Sequence, residues 1–151
     1  MLLLKQIYLF SDGSALGNPG PGGYGTIIRY KQSEKILTGG EKHTTNNRME
    51  LLGVIEGLRA LKEPCQVEIT SDSSYVVKGI NEWLEGWIKR DFKEVKNPDL
   101  WKAYIEAAKG HQIHAVWVRG HDGHDENERC DDIARETAEK FKRELQDTEK
   151  E

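Results

Sequence analysis

The run Ile7-Tyr8-Leu9-Phe10 is apolar without alternation and ends at once in Ser11-Asp12-Gly13-Ser14. A short unbroken apolar run bounded by turn residues reads as a strand covered on both faces, as in sheets that carry helices on each side. That reading puts Asp12 at or near a strand end. A carboxylate there is costly to desolvate unless it meets a cation, a hydrogen-bond donor or water. Gly13 lets a second backbone come close. A lone strand-end Asp is more often a cap or turn residue than a ligand, so its meaning depends on what the rest of the chain brings to it.

The chain has 151 residues, enough for one domain with a sizeable core. Charged residues make up 32% and hydrophobic ones 36%, the balance of an ordinary globular protein. No apolar run approaches the roughly 20 residues that cross a bilayer. Met1-Leu2-Leu3-Leu4-Lys5 is too short for a secretory signal, and its charge falls on the wrong side. Cys65 and Cys130 stand far apart and outside any CxxC spacing, so neither a disulfide framework nor a zinc site is expected. A cytoplasmic location fits this cysteine usage. The net charge of −4 gives no global attraction for nucleic acid. Binding of that kind needs a local basic patch, or metal ions that offset the acidic groups.

In chain order, Asn18-Pro19-Gly20-Pro21-Gly22-Gly23 reads as a tight loop. Tyr24 to Tyr30 is a β-rich strand and Lys35 to Gly40 a third, shorter one, giving an antiparallel meander. Thr44-Thr45-Asn46-Asn47 is a cluster of N-cap residues before a helical stripe at Leu51, Val54, Ile55, Leu58 and Leu61. At about 100° per residue, Glu50 falls on the edge of that stripe and Asn47 on the stripe itself. Taken alone, Glu50 reads better as a carboxylate that complements the helix dipole. Val67 to Ser71 is a strand, followed by Asp72-Ser73-Ser74 as a helix start and a short helix from Tyr75 to Ile80.

Trp83, Trp87, Phe92 and Trp101 interleave with Lys89, Arg90, Lys93 and Lys96. Two readings stand: stacking and phosphate contact with a nucleic acid, or a satellite hydrophobic cluster with a solvated rim. Asn97-Pro98 opens a helix that Gly110 closes. Ile113 to Val118 is the fifth strand, and Arg119 to His124 a Gly- and His-rich loop. Asp125 matches an N-cap with Glu128 reaching back. The last helix has its stripe at Cys130, Ala134, Ala138, Phe141 and Leu145, which puts Asp131 about 60° and Asp132 about 160° from the stripe centre. The expected i,i+4 pairs are Glu136 with Lys140 and Glu139 with Arg143.

The resulting fold class is α/β: a mixed five-stranded sheet, three antiparallel strands plus two parallel, flanked by helices on both faces. Residues 1–145 form a single domain and 146–151 a fraying tail. Asp12 and Asp72 then end adjacent parallel strands, while Glu50 and Asp131 look inward from first helical turns. Four carboxylates in one shallow site repel strongly without cations. An all-oxygen set suits Mg²⁺ or Mn²⁺, and two such ions serve in-line attack of water on a phosphodiester.

Phe10-Ser11-Asp12-Gly13-Ser14, Gly17 to Gly25, Thr44 to Leu51, Thr70-Ser71-Asp72-Ser73, and Gly120 to His124 with Asn127 to Asp131 resemble type 1 ribonuclease H of the bacterial kind. The resemblance runs from about Ile7 to Phe141. It implies a metal-dependent endonuclease that cuts the RNA strand of RNA/DNA hybrids, leaving 5′-phosphate and 3′-hydroxyl ends. It implies Asp12, Glu50, Asp72 and Asp131 as metal ligands around two Mg²⁺ ions, with Mn²⁺ as a substitute. Asp12 bridges the ions, Glu50 and Asp72 share one, and Asp131 completes the other. It implies His121, rather than His124, as the loop histidine assisting proton transfer or product release. Asn18, Thr45, Asn46 and Asn47 match positions that contact the hybrid. Trp83, Trp87, Lys89, Arg90 and Lys93 are the further candidates for substrate contact. The implied working form is a monomer with no obligatory protein partner. The chain departs from the best-known members in a shorter basic insertion and in Ser74, where those often carry Gln. Rival readings are a junction-resolving nuclease on the same fold and a non-catalytic hybrid-binding module.

Overall fold

The computed structural model describes residues 3–120 and 125–150. Five strands form one sheet: β1 (Lys5–Ala15), β2 (Gly20–Tyr30), β3 (Ser33–Thr44), β4 (Cys65–Ser71) and β5 (Gln112–Trp117). Their order is β3-β2-β1-β4-β5. The first three strands pair antiparallel, and β4 joins β1 and β5 joins β4 in parallel. The sheet is therefore the expected mixed one, with β1 at its centre.

The helices are α1 (Asn46–Arg59), α2 (Ser74–Lys78), α3 (Leu84–Lys89), α4 (Pro98–Ala108) and α5 (Asp125–Lys150). Leu51, Val54, Ile55 and Leu58 are buried, as the stripe requires. α1 also buries Met49, Gly53 and Gly57, so its covered face is wider than the stripe. The Thr26 hydroxyl donates to the Gly53 carbonyl at 2.8 Å and pins α1 to β2. Trp101 of α4 is fully buried against this same core. α5 lies along the first three strands. At its N-terminal end, Arg29 of β2 pairs with Glu126 at 2.7 Å, and Arg129 pairs with Glu34 of β3 at 3.1 Å.

Several boundaries differ from the sequence reading. β1 continues past Asp12 to Ala15, and β2 begins at Gly20 rather than Tyr24. The glycine-rich stretch is zipped into the sheet because backbone pairing needs no side chain: Ala15 faces Gly22 and Ser14 faces Gly23. β3 runs to Thr44 for the same reason. The helix expected from Tyr75 to Ile80 ends at Lys78 and passes through a π-helical turn, Gly79–Trp83, into α3. Gly79 is pressed against the Trp101 ring, where an added Cβ would sit 2.3 Å from ring carbon. Asp125 is the first helical residue of α5 rather than its cap. Among the described residues, α5 carries ion pairs of Arg135 with Asp131 and Asp132, and none of Glu136 with Lys140 or Glu139 with Arg143.

Candidate active site

Two strand ends and two helix starts meet at one place. The parallel ladder of β1 and β4 ends with the pair Phe10 and Thr70. Asp12 and Asp72 each follow that pair by two residues, so the two carboxylates leave neighbouring strands side by side. Glu50 arrives through Gly13: a Cβ there would stand 2.4 Å from the Glu50 backbone nitrogen. Only glycine lets the first turn of α1 settle on β1 this closely. Asp12, Glu50 and Asp72 each offer an oxygen within 4.8 Å of the other two.

The electrostatics of this triad are unfavourable as they stand. Burial pushes the Asp12 carboxyl up to about 8, with Asp72 and then Glu50 adding repulsion, and Asp131 a smaller amount. The Gly13 amide, donating to Asp12 Oδ1 at 2.9 Å, offsets part of this. Burial also pushes Glu50 up to about 7, opposed by a hydrogen bond from Ser73 and reinforced by Asp72. Glu50 Oε2 is buried and has no hydrogen-bond partner among the described residues. A buried carboxylate oxygen without a partner, on a residue that converges with two more carboxylates, is an arrangement a hard divalent cation relieves.

Asp131 stands one residue past Cys130, whose backbone carbonyl lies against β2 at Gly25. Its side chain is 21% exposed, against 63% for Asp132. The Arg135 guanidinium holds it, with Nε 3.1 Å from Asp131 Oδ2 and a second nitrogen 2.5 Å from Asp132 Oδ1. His121 and His124 lie outside the described residues. The backbone leading toward them passes over the site: a Cβ on Gly120 would be 2.8 Å from Asp72 Oδ2.

The sequence profile of the RNase H family matches residues 4–139. The chain belongs to that family. Ribonuclease H of Sulfurovum sp. is 72% identical over 141 residues, which cover 93% of this chain and 96% of that one. Ribonuclease HI of Helicobacter pylori is 56% identical over 137 residues, covering 91% and 96%. Among solved structures, LC9-RNase H1, described as a type 1 RNase H with the type 2 active-site motif, superposes with a TM-score of 0.85 at 31% identity over 93% of this chain and 75% of that one. LC11-RNase H1, solved in complex with an RNA/DNA hybrid, shares the fold with a TM-score of 0.64 at 23% identity, covering 89% and 97%.

The other residues singled out in this RNase H chain surround the acidic triad unevenly. Thr45 caps α1, its hydroxyl accepting from the Arg48 amide at 3.3 Å. Asn46 Oδ1 accepts from the Ala15 amide at 2.5 Å, tying α1 to the end of β1. Asn47 is exposed at the start of α1, off the buried stripe on which its rotation placed it, and Asn18 is exposed between β1 and β2. Trp87 packs on the buried Trp101 at 5.1 Å between ring centres, and Trp83 packs on Trp87 at 5.7 Å. Trp83 is thus the outer tier of a stack rooted in the core. Lys89, Arg90 and Lys93 are exposed beyond it.

Sequence reasoning passed over the residues that anchor this segment. Arg48 forks onto Asp99 at 2.8 and 3.0 Å and donates to Asn97 Oδ1 at 3.2 Å. Asn97 donates to the Tyr75 hydroxyl at 3.1 Å, which also accepts from the Trp101 indole at 2.9 Å. Arg48 sits within the Thr-Asn-Asn-Arg-Met-Glu stretch, but its partner lies 51 residues away and no local pattern signals it.

Proposed function

We propose that this chain cuts the RNA strand of RNA/DNA hybrids at internal phosphodiester bonds, leaving 5′-phosphate and 3′-hydroxyl ends, with divalent ions held by Asp12, Glu50, Asp72 and Asp131. Family membership gives the reaction class. The observation that supports the metal is the convergence of Asp12, Glu50 and Asp72 with both Asp12 and Glu50 pushed far above the usual carboxylate range.

The chemistry that bound Mg²⁺, or Mn²⁺ in its place, supplies at such a site is a lowered pKa for an attacking water and relief of charge on the leaving oxygen. Asp12 would be the ligand common to both ions, Glu50 and Asp72 would complete the protein ligands of one, and Asp131 those of the other. Asp12 is buried and the other three are half-buried, which limits the reorganisation that accompanies the reaction. His121 would assist proton transfer or product release.

Hybrid binding falls to two surfaces. Asn18, Thr45, Asn46 and Asn47 face one part of the duplex around the start of α1, and Trp83, Lys89, Arg90 and Lys93 another, with Trp87 supporting Trp83. Discrimination for RNA draws on the 2′-hydroxyl and on groove width. The catalytic unit is a single domain over residues 1–145, working in the cytoplasm as a monomer without an obligatory protein partner. No helix among the described residues is long and apolar enough to cross a membrane.

One labelled hybrid, incubated with and without Mg²⁺ beside single-stranded RNA, duplex DNA and a four-way junction, tests this reading. Cleavage confined to the hybrid's RNA strand and dependent on Mg²⁺ supports it. Junction cleavage supports the resolving nuclease instead. Hybrid binding without cleavage under any divalent ion supports the binding module.

A further inference from the structure

The geometry points to Arg135 as a built-in counter-ion that competes with the metal for Asp131. The inference rests on the reading of Asp131 as a metal ligand and goes beyond it. Asp131 has a guanidinium partner on its own helix: Arg135 Nε lies 3.1 Å from Asp131 Oδ2. No cation acts on Asp12 or Glu50 among the described residues. The trio whose oxygens converge within 4.8 Å is Asp12, Glu50 and Asp72, and Asp131 is not part of it.

Arg135 is well placed both to hold and to release. It sits one helical turn after Asp131, the i,i+4 spacing at which an acid and a base meet on a helix surface. Its side chain is 58% exposed, so letting go of Asp131 returns the guanidinium to water rather than burying it. Asp132, pointing outward, grips another nitrogen of the same guanidinium at 2.5 Å. That second grip keeps Arg135 parked when Asp131 turns to an ion. An unassisted fourth carboxylate would add a further charge beside three converging carboxylates. Arg135 instead neutralises it in the metal-free protein and sets a threshold that a second ion must exceed. Arg135 is thus a positioning residue and does not touch the reacting atoms.

Calorimetric titration of the full chain with Mn²⁺, free of substrate, tests this on wild type, Arg135→Ala, Arg135→Lys and Asp131→Asn. Exposed ion pairs are worth roughly 0.2–1 kcal/mol, which converts to about a 1.4- to 5-fold change in affinity. Arg135→Ala should therefore tighten the weaker binding event by up to about 5-fold, and the Mn²⁺ needed for half-maximal cleavage should fall in step. Arg135→Lys, which keeps the charge at i,i+4, should restore wild-type affinity. Unchanged or weaker binding in Arg135→Ala overturns the inference, as does tightening that Lys fails to reverse. Asp131→Asn separates the two claims. If it leaves the titration untouched, the ligand assignment of Asp131 fails. If it weakens an event that Arg135→Ala does not move, the assignment stands and the counter-ion role is wrong.

Discussion

Asp12 faces Gly25 across the β1–β2 ladder, and a Cβ on Gly25 would stand 2.5 Å from the Cys130 carbonyl oxygen. The bare backbone of β2 is what lets α5 come down beside β1, one residue before Asp131. Gly25→Ala must lift α5 or bend β2. Overpacking of this kind costs about 1–3 kcal/mol, and each kcal/mol lowers the melting temperature of a domain this size by roughly 2–4 °C. Turnover should fall further than stability alone accounts for, because Asp131 moves with the helix. Melting curves and kcat measured on the same preparation check this. A variant that melts lower yet keeps wild-type kcat at saturating Mg²⁺ would mean that Asp131 does not depend on this contact.

Asp12→Asn should abolish cleavage and stabilise the metal-free protein. The sign follows from proton binding. The folded state holds the Asp12 proton up to about 8, whereas the ordinary value is 3.8. The folded protein therefore binds a proton more tightly than the unfolded chain, and stability from this group is lost as pH rises between those values. Asn carries no such loss. In EDTA, the melting temperature of the variant should exceed that of wild type by a margin that widens from pH 5 to pH 8. Saturating Mg²⁺ should shrink the margin, because it stabilises the wild type more than the variant. A pH-independent margin would mean that the carboxyl is ionised throughout.

Asp131→Ala should cost orders of magnitude in turnover and Asp132→Ala little. The helical rotation separated these neighbours from sequence alone, and their exposures, 21% and 63%, follow it. The same periodicity placed Leu51 to Leu58 in the core. That β1 and β4 are parallel neighbours was legible for a related reason: short apolar runs mark buried strands, and the crossover rule sets them side by side, although β1 runs on past Asp12 to Ala15. What stayed hidden depends on partners far along the chain. Gly20 to Gly23 look like loop because glycine has no β preference of its own, and only the facing residues of β1 and β3 make them strand. Arg48 is an ordinary surface arginine until Asp99, 51 residues away, comes within reach. Matched losses at Asp131 and Asp132 in side-by-side kinetics would put the helix phase in error.

Arg48→Ala should loosen the basic segment without touching the triad. The fork onto Asp99 and the contact with Asn97 join the first turn of α1 to the start of α4. Asn97 holds a left-handed backbone at φ 56°, a strained conformation that its side-chain contacts support. Removing one end of that network should raise KM for the hybrid several-fold and lower the melting temperature by a few degrees. An unchanged KM together with a lower melting temperature would confine Arg48 to a structural role.

The segment from Gly86 to Asn97 carries Lys89, Arg90, Lys93 and Lys96 against Asp91 and Glu94. The whole chain is at −4, so this short stretch must supply much of the attraction for a duplex. Its cations are exposed, and beneath them Trp87 is seated on the buried Trp101, so the segment is a patch on a firm base. Phosphate contacts act through counterion release, with a slope of about −0.9 per neutralised phosphate. Replacing Lys89, Arg90 and Lys93 together by Ala should raise KM and flatten the salt dependence of binding by roughly two to three units. The kcat should barely move, since these contacts hold ground state and transition state alike. The competing account is that the side chains only rim the aromatic cluster. It requires the triple variant to bind hybrid with unchanged strength across the salt titration, and that result would remove the segment from the substrate interface.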